Sequence, residues 1–250
     1  MLPVLPKPLL LAHRGASAYA PENTLAAFRL AMQQGAHGVE LDVKLSADGE
    51  MVVMHDASVD RTTNGSGKVK EMPLAALREL RAPGRFADQY PDEPIPTLLE
   101  VLETLGHQAI INIELTNYSS PRDRLPELAA NLVYRLGMQA NVLFSSFLPA
   151  NLQRVRRILP QARVAVLALQ GLAGWPGRGW IGRRAAPEIL HPHHADITPA
   201  LVQREHARGR RVHAWTVNSS AEARALLLMG VDGLISDDPP AILRVMEEVV

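Results

Sequence analysis

Five polar side chains between residues 13 and 55 are of the types that phosphate-ester chemistry uses: His13, Arg14, Glu40, Asp42 and His55. A pair of carboxylates can bind a divalent cation, imidazoles can move protons, and a guanidinium can bind an anion through paired hydrogen bonds. Each of the five stands near the end of an apolar run, where a buried strand is expected to meet a loop. This placement favours a chemical site over a solvated surface.

Alternation along one strand gives these carboxylates a common direction. Glu40, Asp42 and Lys44 share one strand face, and the apolar residues between them share the other. Glu114 ends the next main strand, and neighbouring strands lie about 4.8 Å apart, so its carboxylate can join the other two around one cation. Three carboxylates without a thiolate favour Mg²⁺ or Ca²⁺, with Mn²⁺ or Zn²⁺ and a histidine ligand left open. Taken alone, a Glu-x-Asp pair fits a satisfied salt bridge equally well.

The elements that must position these side chains follow from the apolar runs. Eight runs, each followed by a helical pattern, predict strands at residues 9–12, 38–43, 109–115, 142–147, 163–169, 188–191, 212–217 and 233–236. Eight such alternations in 250 residues match a (β/α)8 TIM-type barrel, predicted as a single domain over residues 1–250. A doubly wound open sheet usually needs fewer strands and a Gly-rich phosphate loop, which the chain lacks. In a barrel, Glu40 and Asp42 would point inward near the C-terminal mouth.

Two segments interrupt this rhythm. Residues 51–55 read as an extra strand after strand 2, and residues 56–96 form a polar, turn-rich insertion before the next helix. Residues 171–184 are rich in glycine and arginine and contain Trp175 and Trp180. We expect this second segment to be a long loop after the fifth strand. It could form a lid over the alcohol or touch a lipid surface, but an ordinary mobile loop is the favoured interpretation.

Composition excludes several classes of partner. Hydrophobic residues make up 47% of the chain and charged residues 21%, as in ordinary globular proteins. Lys+Arg and Asp+Glu are both 26, which argues against a nucleic-acid partner held by bulk charge. The chain has no cysteine, and residues 1–11 lack the basic start of a signal peptide. We therefore expect a cytoplasmic protein without stable membrane insertion; the oligomeric state is not predicted.

The motifs taken together resemble the glycerophosphodiester phosphodiesterase family, in its bacterial cytoplasmic type. They follow the family order over nearly the whole chain. The matching segments are His13-Arg14-Gly15, Pro21-Glu22-Asn23-Thr24, Glu40-Leu41-Asp42, Asp48-Gly49, His55-Asp56, Arg61-Thr62-Thr63-Asn64-Gly65, Asn112-Ile113-Glu114, Ser145-Ser146-Phe147, Trp215-Thr216-Val217-Asn218 and Gly230-Val231-Asp232-Gly233.

The resemblance implies a metal-dependent enzyme on a TIM-type barrel with a small insertion after strand 2. Its substrate would be a small-molecule glycerophosphodiester, hydrolysed to sn-glycerol 3-phosphate and an alcohol. The residues matching His13 and His55 would be the catalytic acid/base pair, with neither role assigned. The family matches further imply the binding roles: a divalent ion for Glu40, Asp42 and Glu114, phosphate for Arg14, and the glycerol moiety for Trp215.

One position departs from the family pattern. Many members carry lysine two residues after the third metal-site glutamate, where this chain has Thr116. We expect Lys44, on the same strand face as Glu40 and Asp42, to supply part of the missing charge toward substrate. The competing interpretation is that Lys44 only pairs with a neighbouring acid.

Other interpretations remain open from sequence. The chain could be a lysophospholipid phosphodiesterase of the same barrel superfamily, which would give a cyclic phosphate. It could also be a non-catalytic barrel that binds phosphodiesters, which only Thr116 favours. Trp215 could be a core-filling aromatic. The cluster of His191, His193 and His194 could hold a second metal ion, but ordinary structural histidines are the favoured interpretation.

Overall fold

The computed structural model describes residues 5–249; part of the N-terminal stretch in which no signal peptide was expected lies outside them. These residues form nine strands, numbered in chain order: β1 (Leu9–His13), β2 (Gly38–Leu45), β3 (Met51–Val53), β4 (Ile110–Leu115), β5 (Val142–Ser146), β6 (Arg163–Ala168), β7 (Ile189–Pro192), β8 (Arg211–Ala214) and β9 (Gly233–Ser236). All except β3 are parallel, and β1 pairs with both β2 and β9, so the sheet closes into a barrel. The predicted (β/α)8 fold is confirmed.

Helices follow the barrel strands and cover their outer face, except for α2, which belongs to the insertion. Their bounds are α1 (Leu25–Gln33), α2 (Leu74–Glu79), α3 (Leu98–Leu105), α4 (Leu125–Arg135), α5 (Pro149–Ile158), α6 (Trp175–Arg178), α7 (Trp180–Arg183), α8 (Pro199–His206), α9 (Ser220–Leu228) and α10 (Pro239–Val249). Thr97 and Glu100 form a capping box that fixes the start of α3. None of the helices within residues 5–249 is both apolar enough and long enough to cross a bilayer.

The two faces of β2 show how the barrel separates core from site. Val39, Leu41 and Val43 are fully buried in the core cluster that includes the helices. The alternate residues Glu40 and Asp42 belong to the opposite, inward face. A second apolar cluster, drawn from β1, β5, β6, β7 and β9, fills the barrel interior: Leu9, Leu11, Leu143, Ala165, Ile189 and Ile235, with Leu5 from the chain ahead of β1. The inward carboxylates of Glu40 and Asp42 therefore lie above a closely packed apolar interior.

The insertion lies where the sequence places it, between β3 and α3. β3 pairs antiparallel with β2 outside the barrel, and the segment after it contains a short 3-10 turn at Val69–Glu71 and α2. Its apolar side chains form a small core of their own: Val52, Met54, Val59, Val69, Leu77, Ala82 and Ile95. The insertion therefore packs around its own apolar cluster beside the barrel mouth.

The prediction of a long loop at residues 171–184 is wrong. The segment is a 3-10 turn at Gly171–Gly174 followed by α6 and α7. Its glycines permit close packing: a Cβ on Gly182 would lie 2.0 Å from the carbonyl oxygen of Gly177. The glycines that suggested a flexible loop are thus needed for two short helices to touch.

Candidate active site

Three carboxylates converge at the C-terminal end of β2 and β4. Asp42 and Glu114 are direct neighbours in the register of the two strands, and Glu40 lies two residues before Asp42 on the same face. Oxygen atoms of the three groups all lie within 4.8 Å of one another. Glu40 and Asp42 are only 3% and 2% exposed. The structure therefore brings together all three residues that the sequence suggested as metal ligands.

The electrostatics of this cluster fit a cation. Burial, followed by the charges of Asp42 and Glu114, raises the pKa of Glu40 well above its ordinary value. Burial and the Asp42 charge raise the pKa of Glu114 to about 8. The Oε1 atom of Glu40 is buried without a hydrogen-bond partner. A hard divalent ion would supply both the missing charge and the missing partner.

We expect binding of a divalent cation to this cluster to release protons. Because the pKa of Glu114 is raised to about 8 and that of Glu40 is raised as well, a cation must displace carboxyl protons when it binds near neutral pH. Affinity for Ca²⁺ should therefore fall as the pH is lowered from 8 to 6. Isothermal titration in buffers of different ionisation enthalpy counts the protons released. An affinity that stays constant over this range would contradict the expectation.

Arg14 closes one side of the cluster. Its backbone N–H donates to Glu40 Oε2 at 3.1 Å, and its Nε lies 3.3 Å from Asp42 Oδ2. The guanidinium also donates to Glu22 at 2.8 Å. Arg14 has a φ of 57°, a conformation that costs free energy for a residue with a side chain. Strain of this kind indicates that the position of the residue matters to the site.

The loop after β1 holds that conformation. The backbone N–H of Asn23 donates to the carbonyl of Arg14 at 2.9 Å, and the Asn23 amide donates to Asp42 Oδ2 at 2.9 Å. Gly15 has a φ of 82°, and a Cβ there would lie 2.7 Å from the backbone of Ala27 in α1. Only glycine lets the loop lie so close to the helix.

His13 is oriented by a carboxylate that sequence reasoning missed. Its Nδ1 lies 2.7 Å from Asp237 Oδ1, and its Nε2 faces Glu40 Oε2 at 4.0 Å. Asn218 donates to the other Asp237 oxygen at 2.6 Å. Burial alone would raise the pKa of Asp237, but the His13 and Asn218 contacts, with Ser17, lower it to about 2. Residue 237 continues the inward alternation of 233 and 235 past the end of β9, and this signal could have found it.

A second histidine–carboxylate pair begins a chain of ionic contacts. His55 Nδ1 lies 2.7 Å from Asp56 Oδ1, and Arg61 Nε donates to the other Asp56 oxygen at 2.6 Å. Arg61 also donates to Glu22 at 2.7 Å, and Glu22 accepts from Arg14. Arg61 lowers the pKa of Asp56 to about 2, and Arg61 with Arg14 lowers that of Glu22 to about 2 against the effect of burial. The insertion residue Arg61 thus links His55 to Arg14.

Lys44 points to the position where the family pattern has lysine. Its Nζ donates to Thr116 Oγ1 at 2.8 Å and to the Thr116 carbonyl at 3.1 Å. No carboxylate of residues 5–249 lies within 4.0 Å of its Nζ, so Lys44 forms no direct ion pair there, although the charges of Asp42, Glu114 and Asp56 act on it. Burial lowers its pKa. Lys44 lines a cavity of about 590 Å³ together with His55, Asp56 and Tyr118.

Aromatic side chains form one edge of the mouth. Trp215 packs edge-on against Phe147 with ring centroids 5.7 Å apart, and Phe147 packs against Tyr118 at the same distance. The Tyr118 hydroxyl donates to Glu114 at 2.7 Å. Trp215 is partly exposed, and its Nε1 donates to the carbonyl of His191 at 2.8 Å. It also packs on the apolar cluster of the barrel interior, so it is both a partly exposed rim residue and part of the cover of that core.

The histidine cluster does not form a second metal centre. Within residues 5–249, the only group of three or more His, Asp or Glu side chains close enough to share an ion is Glu40, Asp42 and Glu114. The His191 ring is fully buried and stacks on that of His213 inside the barrel, with centroids 5.2 Å apart. Burial lowers the pKa of both imidazoles and so favours their neutral form, and none of their four ring nitrogens has a hydrogen-bond partner among the described residues.

A second large cavity, also of about 590 Å³, opens beside His13. Its wall is shared between the barrel and the insertion, which contributes Arg61, Arg85 and Phe86. The Arg85 guanidinium donates to the carbonyls of Ser17 and Ala18 in the loop after β1. The insertion therefore bounds the space in which a substrate would lie next to His13.

Comparison with known proteins gives consistent results. Residues 13–241 match the model of the glycerophosphoryl diester phosphodiesterase family. A glycerophosphodiester phosphodiesterase of Caldanaerobacter subterraneus is 36% identical over 97% of this chain and 99% of its own length. Among solved structures, an Oleispira antarctica phosphodiesterase in complex with the product sn-glycerol-3-phosphate superposes with a TM-score of 0.88 at 33% identity, covering 96% of this chain and 97% of that one. A glycerophosphodiester phosphodiesterase from Agrobacterium tumefaciens superposes with a TM-score of 0.80 at 32% identity. The match covers 94% of this chain and 99% of that one.

Proposed function

The chain belongs to the glycerophosphoryl diester phosphodiesterase family, and from this premise we propose that it hydrolyses glycerophosphodiesters to sn-glycerol 3-phosphate and an alcohol. The observation that carries the proposal is the convergence of Glu40, Asp42 and Glu114 next to a histidine held by its own carboxylate. The product found in the Oleispira antarctica relative supports the choice of substrate.

The proposed cofactor is Mg²⁺ or Ca²⁺, held by Glu40, Asp42 and Glu114. When bound, it would stabilise the charge that develops on the phosphoryl oxygens. Three carboxylates contribute −3, a divalent ion +2 and Arg14 +1, so the site would be neutral before a diester brings its own −1. A cation therefore turns a cluster that repels anions into one that accepts a phosphodiester.

His13 and His55 are the proposed acid/base pair. In each ring a carboxylate lies at Nδ1, which must therefore carry a proton, and Nε2 is left for chemistry. One histidine, entering neutral, takes the proton of the attacking hydroxyl or water at Nε2. The other, entering protonated, gives its Nε2 proton to the departing alkoxide. Each transfer is typically worth about 10²–10⁴-fold in rate.

Arg14 and Trp215 are proposed to bind the two ends of the glycerol phosphate. The Arg14 guanidinium is fixed by Glu22 and Asp42, so its remaining N–H groups can bind a phosphate without first losing conformational freedom. Trp215 offers an apolar face at the rim, edged by Phe147, against which a glycerol backbone can pack.

Lys44 is proposed to supply the phosphate-binding cation that Thr116 cannot. We expect Lys44→Met to lower kcat roughly tenfold or more, because one donor of positive charge to the transition state is removed. Adding Thr116→Lys to that variant should restore much of the turnover, since it returns an ammonium group to the same place. Steady-state kinetics on glycerophosphocholine measures both effects.

Lys68→Met is the matched control, because Lys68 lines the same cavity but pairs with Glu71. Its kcat should stay near that of the unmodified protein. A Lys44→Met variant with nearly unchanged kcat would show that Lys44 has no part in turnover.

Barrel and insertion are proposed to form a single domain over residues 1–250. The ionic chain from His55 through Arg61 and Glu22 to Arg14 crosses between them, so separating the two parts would expose paired charges. One cooperative unfolding transition in calorimetry is expected. Two resolved transitions would mean two units.

Phosphorus NMR of the products tests the proposed reaction. Glycerophosphocholine should give the monoester resonance of sn-glycerol 3-phosphate as its end product. A cyclic phosphate as end product from lysophosphatidylcholine, with no reaction on glycerophosphocholine, would instead identify a lysophospholipid phosphodiesterase. Binding of either compound without turnover would identify a non-catalytic barrel.

A further inference from the structure

The short helices after β6 expose large apolar side chains beside the barrel mouth. Leu169 is 46% exposed, Leu172 93%, Trp175 59% and Trp180 52%; we call these four residues the rim patch. β6 ends at Ala168, so the segment starts on the C-terminal face of the barrel, where the catalytic groups also lie. Exposed aromatic and aliphatic groups concentrated in one segment mark an interaction surface.

A cavity of about 480 Å³ lies between this segment and α8, and its lining is strongly basic. One carboxylate, Asp196, lines it and is bound by Arg178. Trp175 and Trp180 of the rim patch also line it. The four arginines in the lining are Arg178, Arg183, Arg204 and Arg208.

These guanidinium groups are only partly neutralised. The fully buried carboxylate of Glu205 is shared by three arginines: Arg204, Arg208 and Arg210. Within residues 5–249, no carboxylate forms an ion pair with Arg183 or Arg184. The Arg184 guanidinium instead lies over the Trp180 ring, 5.1 Å from its centroid. The chain as a whole has no net charge, so the positive excess is local. An anionic partner would complement it.

We propose that the rim patch and the arginine cavity dock the protein on an anionic phospholipid surface. Trp and Leu side chains suit the boundary between headgroups and acyl chains, and arginines suit the phosphates just outside it. A nucleic acid would also attract arginine and tryptophan, but it offers no apolar phase to Leu169 and Leu172. The contact is peripheral, because no helix of the described residues could span the bilayer.

The rim patch begins beside the barrel mouth, and the arginine cavity continues from it along α8. His193 lies between Trp215 and the start of the rim patch: its ring packs 5.6 Å from that of Trp215, and its backbone N–H donates to the carbonyl of Ala168, next to Leu169, at 3.1 Å. The proposal goes beyond hydrolysis of soluble diesters and does not depend on it, since lipid binding can be measured without substrate turnover.

Co-sedimentation with vesicles tests the proposal. The full chain should bind vesicles of phosphatidylcholine mixed with phosphatidylglycerol, and much less of it should bind phosphatidylcholine alone. Binding should weaken from 0.1 M to 1 M salt, since the screening length shortens from about 10 Å to about 3 Å. Equal binding to both vesicles, or no binding to either, would overturn the proposal.

Two double variants separate the apolar and the charged parts. Leu172→Ser with Trp175→Ser, and Arg183→Glu with Arg184→Glu, are each expected to lower the partition coefficient about tenfold or more. Activity on soluble glycerophosphocholine should stay unchanged, which shows that the variants fold. Unchanged vesicle binding by both variants would overturn the assignment of this surface.

The matched apolar control is Tyr134→Ser with Leu228→Ser. These side chains are 62% and 73% exposed near the C-terminal ends of α4 and α9, two helices that do not line the arginine cavity, and the change should leave vesicle binding intact. Calorimetry with inorganic phosphate and a filter assay with a single-stranded oligonucleotide complete the test. Tight binding of either probe that is lost in the Arg183→Glu with Arg184→Glu variant, by a protein that ignores anionic vesicles, would overturn the lipid assignment in favour of that ligand.

Discussion

His13→Gln is expected to lower kcat about 10²- to 10⁴-fold, the usual loss when a general acid or base is removed. The His13 Nε2 atom faces the carboxylate cluster at 4.0 Å from Glu40, and glutamine cannot exchange a proton there. KM should change much less, because Arg14 and the proposed metal ligands that hold the phosphate remain. Steady-state kinetics on glycerophosphocholine measures both parameters.

Asp237→Asn tests whether Asp237 positions the His13 ring, because the variant leaves the proposed proton-transferring group, His13 itself, in place. Asparagine is nearly isosteric, but its amide can donate to Nδ1 and so favour the tautomer with a proton on Nε2. We expect kcat to fall by about 10²-fold or more. The melting temperature at pH 7 should fall as well, because the Asp237 charge, whose pKa is lowered to about 2, stabilises the fold. His107→Gln, on the 3-10 turn at the opposite end of the barrel, should leave kcat unaltered. Near-normal kcat in His13→Gln would remove this residue from the catalytic pair.

Glu114→Gln is expected to lower kcat/KM about 10²- to 10³-fold and to weaken Ca²⁺ binding by at least tenfold, because one of three anionic ligands is lost. The new side-chain carbonyl can still accept from Tyr118, so local packing should persist. Kinetics over a range of Ca²⁺ concentrations measures both losses, and a high concentration should recover part of the activity. Glu103→Gln, an exposed change in α3, is the control.

The same variant should be more stable than the unmodified protein when no cation is bound. The folded-state pKa of Glu114, raised to about 8, lies above the ordinary value of 4.5, so stability is lost as the pH rises between them. Glutamine cannot ionise and avoids that loss. A higher melting temperature at pH 8 in EDTA, together with lower activity, would separate a functional defect from unfolding. A lower melting temperature would contradict the electrostatic account of the cluster.

Much of the site could be predicted because β-strand geometry is regular. The alternation of Glu40 and Asp42 with apolar neighbours indicated one inward face, and Glu114 was placed opposite by the order of parallel strands. The same rule applied to β9 would have found Asp237. It was overlooked because the partner of Asp237, His13, is 224 residues away in sequence, and no local pattern joins them.

Other features depend on contacts that a sequence does not contain. The glycines of residues 171–184 suggested a loop, yet they serve the close packing of α6 and α7. Thr116 marked a missing charge, but only the register of β2 with β4 shows that Lys44 reaches the Thr116 hydroxyl. The ionic chain through Arg61 likewise required the insertion to fold back on the loop after β1.

Release of sn-glycerol 3-phosphate from glycerophosphocholine, with and without EDTA, tests the central claim most directly. The account predicts steady release in Mg²⁺ or Ca²⁺, its loss in EDTA, and its return when the cation is added in excess. The cation should give no such recovery in a protein that carries both Glu40→Gln and Glu114→Gln. Absence of EDTA-sensitive release from this and from every other glycerophosphodiester tried would contradict the account and indicate a barrel that binds such compounds without cleaving them.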